Sequence, residues 1–289
     1  MELILTNKNG QSLDLLNSKH RFILKRAEAL HGVDTDIMES ESPYIDGSII
    51  DGVRTLPRGI ELTFKLIGNI KDSIDYFTSV VKSKQVVTLR EIENGRDIII
   101  KGIATIPPYS RMEQSCEIVL SIYCGQPYWE DLEYIVGVIG ESVSLLYFTQ
   151  DGQYFTQDGR PFGVIDTNLT KTFINNGDVI VGMLISVIAL GTVVNPFISC
   201  STGEQNGFYM KLNLTLKEDD ELQINTVKNN KFITINGLET YNGEPILNYL
   251  EWKGTDWLQL ETGENTFSVA TDGTNSNLYF SLTYKARYE

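Results

Sequence analysis

The side chains that could do chemistry near neutral pH are few. Only two histidines occur, His20 and His31, both in the N-terminal segment. A general base or a metal centre would have to be built on one of them or on carboxylates. The three cysteines, Cys116, Cys124 and Cys200, are widely spaced and form neither a C-x-x-C pair nor a zinc pattern, so buried free thiols are expected. No G-x-S-x-G, H-E-x-x-H or P-loop segment is present, and no nucleophile, base and orienting group can be assembled from the order of residues. The acidic run Glu218 to Glu221 could supply a glycosidase pair, but a charge run of this kind usually caps a solvated turn. Asp272 to Asn277, DGTNSN, lacks the spacing of a calcium loop. The sequence therefore predicts no catalytic residue, no metal and no cofactor.

What remains is recognition chemistry. Tyr241, Tyr249, Trp252 and Trp257 lie close together in sequence, and exposed aromatic faces stack on sugar rings. Packing in a β core is the alternative for all four. A second group, Asp34, Asp36, Glu39 and Glu41, sits in a polar acidic arm from His31 to Tyr44, long enough to reach a neighbouring subunit.

Composition bounds the possibilities. The 289 residues are 42% hydrophobic and 21% charged, as in an ordinary globular chain. A net charge of -14 argues against neutralising phosphates, so no direct DNA binding is expected. The N-terminus lacks a basic leader followed by an apolar core, which predicts folding in a cytosol. The apolar stretch Val179 to Val194 falls short of a spanning helix, and its Gly182, Gly191 and many β-branched residues suit buried strands. No membrane insertion is expected.

The elements that would position these residues are mostly strands. Ile60, Leu62, Phe64 and Leu66 alternate with polar neighbours, as do Ile118, Leu120 and Ile122. Asn69 is placed to cap one helix over Ile70 to Lys84, with Ile70, Ile74, Phe77 and Val81 at helical spacing. Pro127 ends the N-terminal strand series, and the charge balance shifts nearby: 15 basic against 20 acidic residues through Gly137, then 9 against 18. These observations predict an N-terminal β-sandwich-like domain with one helix over 1–137. Residues 138–289 should form a galectin-like or jelly-roll β-sandwich, with 138–165 as a connecting segment. That segment holds a tandem YFTQDG, starting at Tyr147 and Tyr154, whose Asp-Gly pairs read as tight turns.

Three segments carry a family resemblance. The first is SPYIDGSIIDGVRTLPRGIELTFKLIG, Ser42 to Gly68, with a basic residue at Arg58. The second, Ile118 to Asp131, closes on a Cys-x-x-Pro-aromatic pattern. The third comprises INNGDVIVGMLISVIALG, DDELQINTVKNNKFITINGL, WLQLETGENTFSV and the terminal YKARY. In order and spacing they resemble the bacteriophage distal tail proteins, which also occur in prophage-like elements. The YFTQDG doublet departs from the family pattern.

The resemblance implies a structural, non-enzymatic protein at the virion tail tip: a homo-hexameric hub ring joining the tail tube to the adsorption apparatus. Its implied partners are the tail tube, tail-associated proteins and a receptor-binding protein. A carbohydrate-binding adhesion module contacting a host cell-wall glycan is the alternative. A closed ring needs two different complementary faces per subunit. An acidic lumen would let DNA pass without trapping it.

Overall fold

The computed structural model describes residues 1–17, 22–41, 44, 46–109, 116–139, 142–144, 163–165, 169–251, 256–273 and 278–289. The chain divides into two compact units. One comprises Met1–Leu132 with Arg287–Glu289, the other Glu133–Ala286. Among the described residues the fold is mostly β, with a single α-helix.

The first unit holds β1 (Glu2–Asn7), β2 (Ser12–Asp14), β3 (Phe22–Glu28), β4 (Thr35–Glu41), β5 (Ser48–Thr55), β6 (Arg58–Leu66), the helix α1 (Ile70–Val80), β7 (Gln85–Glu93), β8 (Arg96–Thr105), β9 (Cys116–Cys124) and β10 (Trp129–Asp131). An antiparallel sheet runs β2-β1-β7-β8-β9-β6-β3, and β10 pairs with β8 and with the C-terminal strand Arg287–Tyr288. The alternation read in β6 and β9 is the buried face: Ile60, Leu62, Phe64 and Leu66 pair with Ile122, Leu120, Ile118 and Cys116. Each such side chain contributes roughly 1.5–3 kcal/mol through burial. Phe22, Phe64 and Phe77 form an aromatic cluster with ring centroids 5.2 to 5.8 Å apart.

Helix α1 begins where expected. The Asn69 side chain accepts from the amides of Lys71 and Asp72, meeting two of the donors that the first turn leaves open. It ends at Val80, four residues before the expected Lys84. Val81 is fully buried in extended geometry, and Lys84 takes a positive φ of 65° with its amide bonded to Ala104 O, because the chain must enter β7 at Gln85. Lys82 and Lys84 therefore lie beyond the last turn. Asn69→Ala is expected to cost about 1 kcal/mol in urea unfolding, since its two bonds, 3.2 and 3.5 Å long, are not short.

The second unit contains β11 (Ile135–Ile139), β12 (Ser142–Ser144), β13 (Gly163–Ile165), β14 (Thr170–Asn175), β15 (Leu184–Ala189), β16 (Val193–Val194), β17 (Phe197–Cys200), β18 (Tyr209–Lys211), β19 (Thr215–Leu216), β20 (Glu221–Asn225), β21 (Phe232–Ile235), β22 (Thr240–Tyr241), β23 (Glu244–Pro245), β24 (Gly263–Ala270) and β25 (Leu278–Tyr284). Two antiparallel sheets, β11-β25-β15-β20-β21 and β14-β24-β17-β18, contribute to one apolar core. This is the two-sheet layout expected of the C-terminal half.

The apolar stretch that raised the membrane question supplies β15, where Ile185, Val187 and Ala189 point into the core and Leu184, Ser186 and Ile188 away from it. Gly182 has a packing reason: a Cβ there would stand 2.4 Å from the backbone Cα of Val227. Among the described residues no helix is long and apolar enough to cross a membrane.

Candidate functional site

The arm expected as a polar loop is half of a hairpin. β4 and β5 pair only with each other, from Thr35 opposite Thr55 to Glu41 opposite Ser48, with a bulge after Met38. Leu56 N donates to Asp34 O and closes the base. The acidic residues read from the sequence sit here, and two of them are engaged within the hairpin. Asp36 accepts from Arg54 at 2.9 Å, and Glu39 accepts from Ser48 Oγ at 2.5 Å. Asp34 and Glu41 face solvent.

The apolar residues of the hairpin escaped the sequence reading. Ile37, Met38, Ile49, Ile50 and Val53 are 47% to 64% exposed. A two-stranded ribbon is marginal by itself in water, and these five side chains find no core within the chain.

The hairpin is anchored by a buried polar cluster at its foot. Arg58, the first residue of β6, is 3% exposed, and its Nη1 donates to Leu30 O at 2.8 Å. Trp129 Nε1 donates to the same carbonyl at 2.8 Å. The Trp129 ring stacks on His31 at 6.2 Å, and His31 Nε2 lies 3.3 Å from Glu91 Oε2. The Leu30 carbonyl is thus held by two side chains far away in sequence, and the His31 ring by Trp129 and Glu91. Arg58 Nε and Nη2 have no hydrogen-bond partner among the described residues. Burial pulls the Arg58 guanidinium below its ordinary value, although arginine stays charged in proteins.

Burial is also the largest influence on Glu91, raising its carboxyl above the usual range, while His31 opposes by a smaller amount. A carboxyl that holds its proton more tightly folded than unfolded favours folding below its unfolded value, about 4.3. That contribution is lost as pH rises through the folded value. Glu91→Gln should therefore match the parent near pH 4 and exceed it in denaturant midpoint at pH 8. A lower midpoint at pH 8 would mean that the His31 contact outweighs burial.

The remaining chemistry-bearing residues are structurally engaged or lie outside the described residues. His20, the YFTQDG doublet and Trp252 fall in the latter class. All three cysteines are buried and none is in a disulfide among the described residues, and burial pushes the Cys124 thiol up to about 11. In the acidic run, Asp220 accepts from Lys217 N and from Asn236 Nδ2, both at 2.8 Å, so it ties a turn. No group of three or more His, Cys, Asp or Glu among the described residues could hold a metal ion.

Of the aromatic set, Tyr241 and Tyr249 meet edge to face at 5.2 Å, and Tyr241 OH donates to Thr215 O at 2.8 Å. Both are partly buried against the core of the second unit, as is Trp257, whose ring carries the Lys231 ammonium at 5.0 Å.

Residues 176–288 match the family model described as the siphovirus-type tail component, C-terminal domain. No curated protein sequence matches the chain. Among solved structures, the Dit protein (gp 19.1) of phage SPP1 is similar in fold, with a TM-score of 0.63 over 98% of both chains at 12% identity. That protein is described as a paradigm of the hub adsorption apparatus in phages infecting Gram-positive bacteria. Two structures of the phage p2 baseplate in its activated conformation, with Ca and with Sr, also match. The TM-scores are 0.43 and 0.41 and the identities 11% and 12%, over 99% of this chain and 98% of theirs. The family match upholds the resemblance drawn from the sequence over residues 176–288, and the likeness to the SPP1 protein shows the fold.

Proposed function

We propose that this chain, similar to the bacteriophage distal tail proteins, is a structural and non-enzymatic component of a phage or phage-like tail tip. It assembles as a homo-hexameric hub ring that joins the tail tube to the adsorption apparatus. The match of residues 176–288 to a tail-component domain carries this reading. The hairpin β4–β5 supports the assembly part, because it offers an apolar surface without a core of its own.

In the ring, residues 1–137 form the contacts between subunits. Residues 138–289 form an outward galectin-like platform for tail-associated and receptor-binding proteins. A cyclic hexamer closes through heterologous contacts, so the hairpin of one subunit seats on a different surface of the next. The net charge of -14 keeps a DNA passage free of phosphate-binding patches. The protein folds in the host cytoplasm before it joins the virion.

Light scattering across a range of concentrations tests the assembly. The expected mass is six times the 32.5 kDa of one chain. A strict monomer at every concentration would contradict it.

A further inference from the structure

On the second unit, Phe197, Tyr209, Lys211, Glu251, Ala270, Thr271 and Asp272 line a cleft of about 340 Å³. Its size is at the lower end of small-molecule sites, roughly 300–1,000 Å³. The strand alternation decides which way its side chains face. In β17 and β18, Ile198, Cys200 and Met210 go into the core, so Phe197, Tyr209 and Lys211 point to the outer face of the four-stranded sheet. The Phe197 and Tyr209 rings lie 5.2 Å apart at 37° on that face. Both are half-buried; Tyr209 sits on β18, the last strand of the sheet, and Phe197 on its neighbour β17.

The polar groups around the rings are held in place. Tyr209 OH donates to Glu251 Oε1 at 2.8 Å, and Glu251 N donates to Lys211 O at 2.9 Å. Asp272 Oδ2 accepts from Asn195 Nδ2 at 2.7 Å and lies 3.5 Å from Lys211 Nζ. The cleft thus presents two carboxylates, one ammonium and an aromatic pair. An anionic ligand would meet the two carboxylates. A cationic one would meet Lys211. A neutral polyhydroxylated ring satisfies both signs at once: its hydroxyls donate to carboxylates and accept from the ammonium, and its C–H face packs on an aromatic ring.

We propose that this cleft is a binding site for a neutral pyranose unit of a polysaccharide, with Asp272, Glu251 and Lys211 bonding its hydroxyls and Phe197 and Tyr209 forming its apolar wall. The site differs from the Tyr241, Tyr249 and Trp257 group and does not depend on the hub assembly.

The test uses the full chain and the methyl glycosides of glucose, galactose and N-acetylglucosamine at about 10 mM, enough to register a millimolar site. Saturation-transfer NMR is read for the parent, Phe197→Ala, Asp272→Asn and Trp257→Ala. Transfer to at least one glycoside is expected in the parent and in Trp257→Ala. Binding should weaken at least about tenfold in Asp272→Asn, which loses a charged hydrogen-bond acceptor without a change of shape. Far-ultraviolet spectra and melting curves show whether each variant is folded. The proposal is overturned by no transfer to any of the three glycosides in the folded parent, by transfer that survives in both cleft variants, or by transfer lost only in Trp257→Ala.

Discussion

Replacing Ile37, Ile49, Ile50 and Val53 together by serine is expected to turn the proposed hexamer into a monomer without altering the fold of the chain. All four are at least half exposed, and their strands pair only with each other, so little intrachain packing is lost. In the proposed ring the same side chains would be buried anchors, each worth roughly 1–4 kcal/mol when truncated. Four such losses should raise the dissociation constant at least about a thousandfold. Sedimentation velocity reads the change, with the melting curve as control. Unchanged sedimentation would remove the hairpin from the interface.

The second large effect is on stability. Trp129 is fully buried, donates to Leu30 O and stacks on His31, and its backbone pairs with Tyr288. Trp129→Ala leaves a cavity at the foot of the hairpin and should cost about 3–5 kcal/mol. For a unit of this size that lowers the melting temperature by on the order of 10 °C. Trp129→Phe keeps most of the apolar area and loses the indole donor. Leu30 O still accepts from Arg58, so the cost should be only about 1–2 kcal/mol. Equal losses for the two variants in urea unfolding would show that the hydrogen bond, not packing, dominates.

The parts of the fold legible in the sequence are those whose cause is local. The alternation in Arg58–Leu66 and Cys116–Cys124 marks a face that meets one core, and Asn69 with Phe77 at helical spacing marks the start of a helix. The end of that helix was not legible, because it is set by the register of β7 against β8 through Lys84 and Ala104. Strand β5, SIIDGVRT, escaped notice for a different reason. Its apolar residues face no core within the chain, so its pattern lacks the inside-outside contrast that marks a strand.

The same division holds for the sites. Arg58 was visible only as a basic residue in a motif, whereas its partner Leu30 lies 28 residues away. Phe197, Tyr209, Glu251 and Asp272 are spread over two strands and two loops. Tyr241 and Tyr249, close together in sequence, also meet in space, and both, like Trp257, pack partly against the core. Sheet pairing brings distant segments together, so the cleft residues have no cluster along the chain to announce them.

We propose that this chain is built into the tip of a tail. Electron microscopy of particles from the strain that encodes it, labelled with gold-conjugated antibody against the chain, tests that claim most directly. Gold is expected at the distal end of the tail, beneath the tube. Label on the head or along the tube, or purified particles that lack the chain altogether, would contradict it.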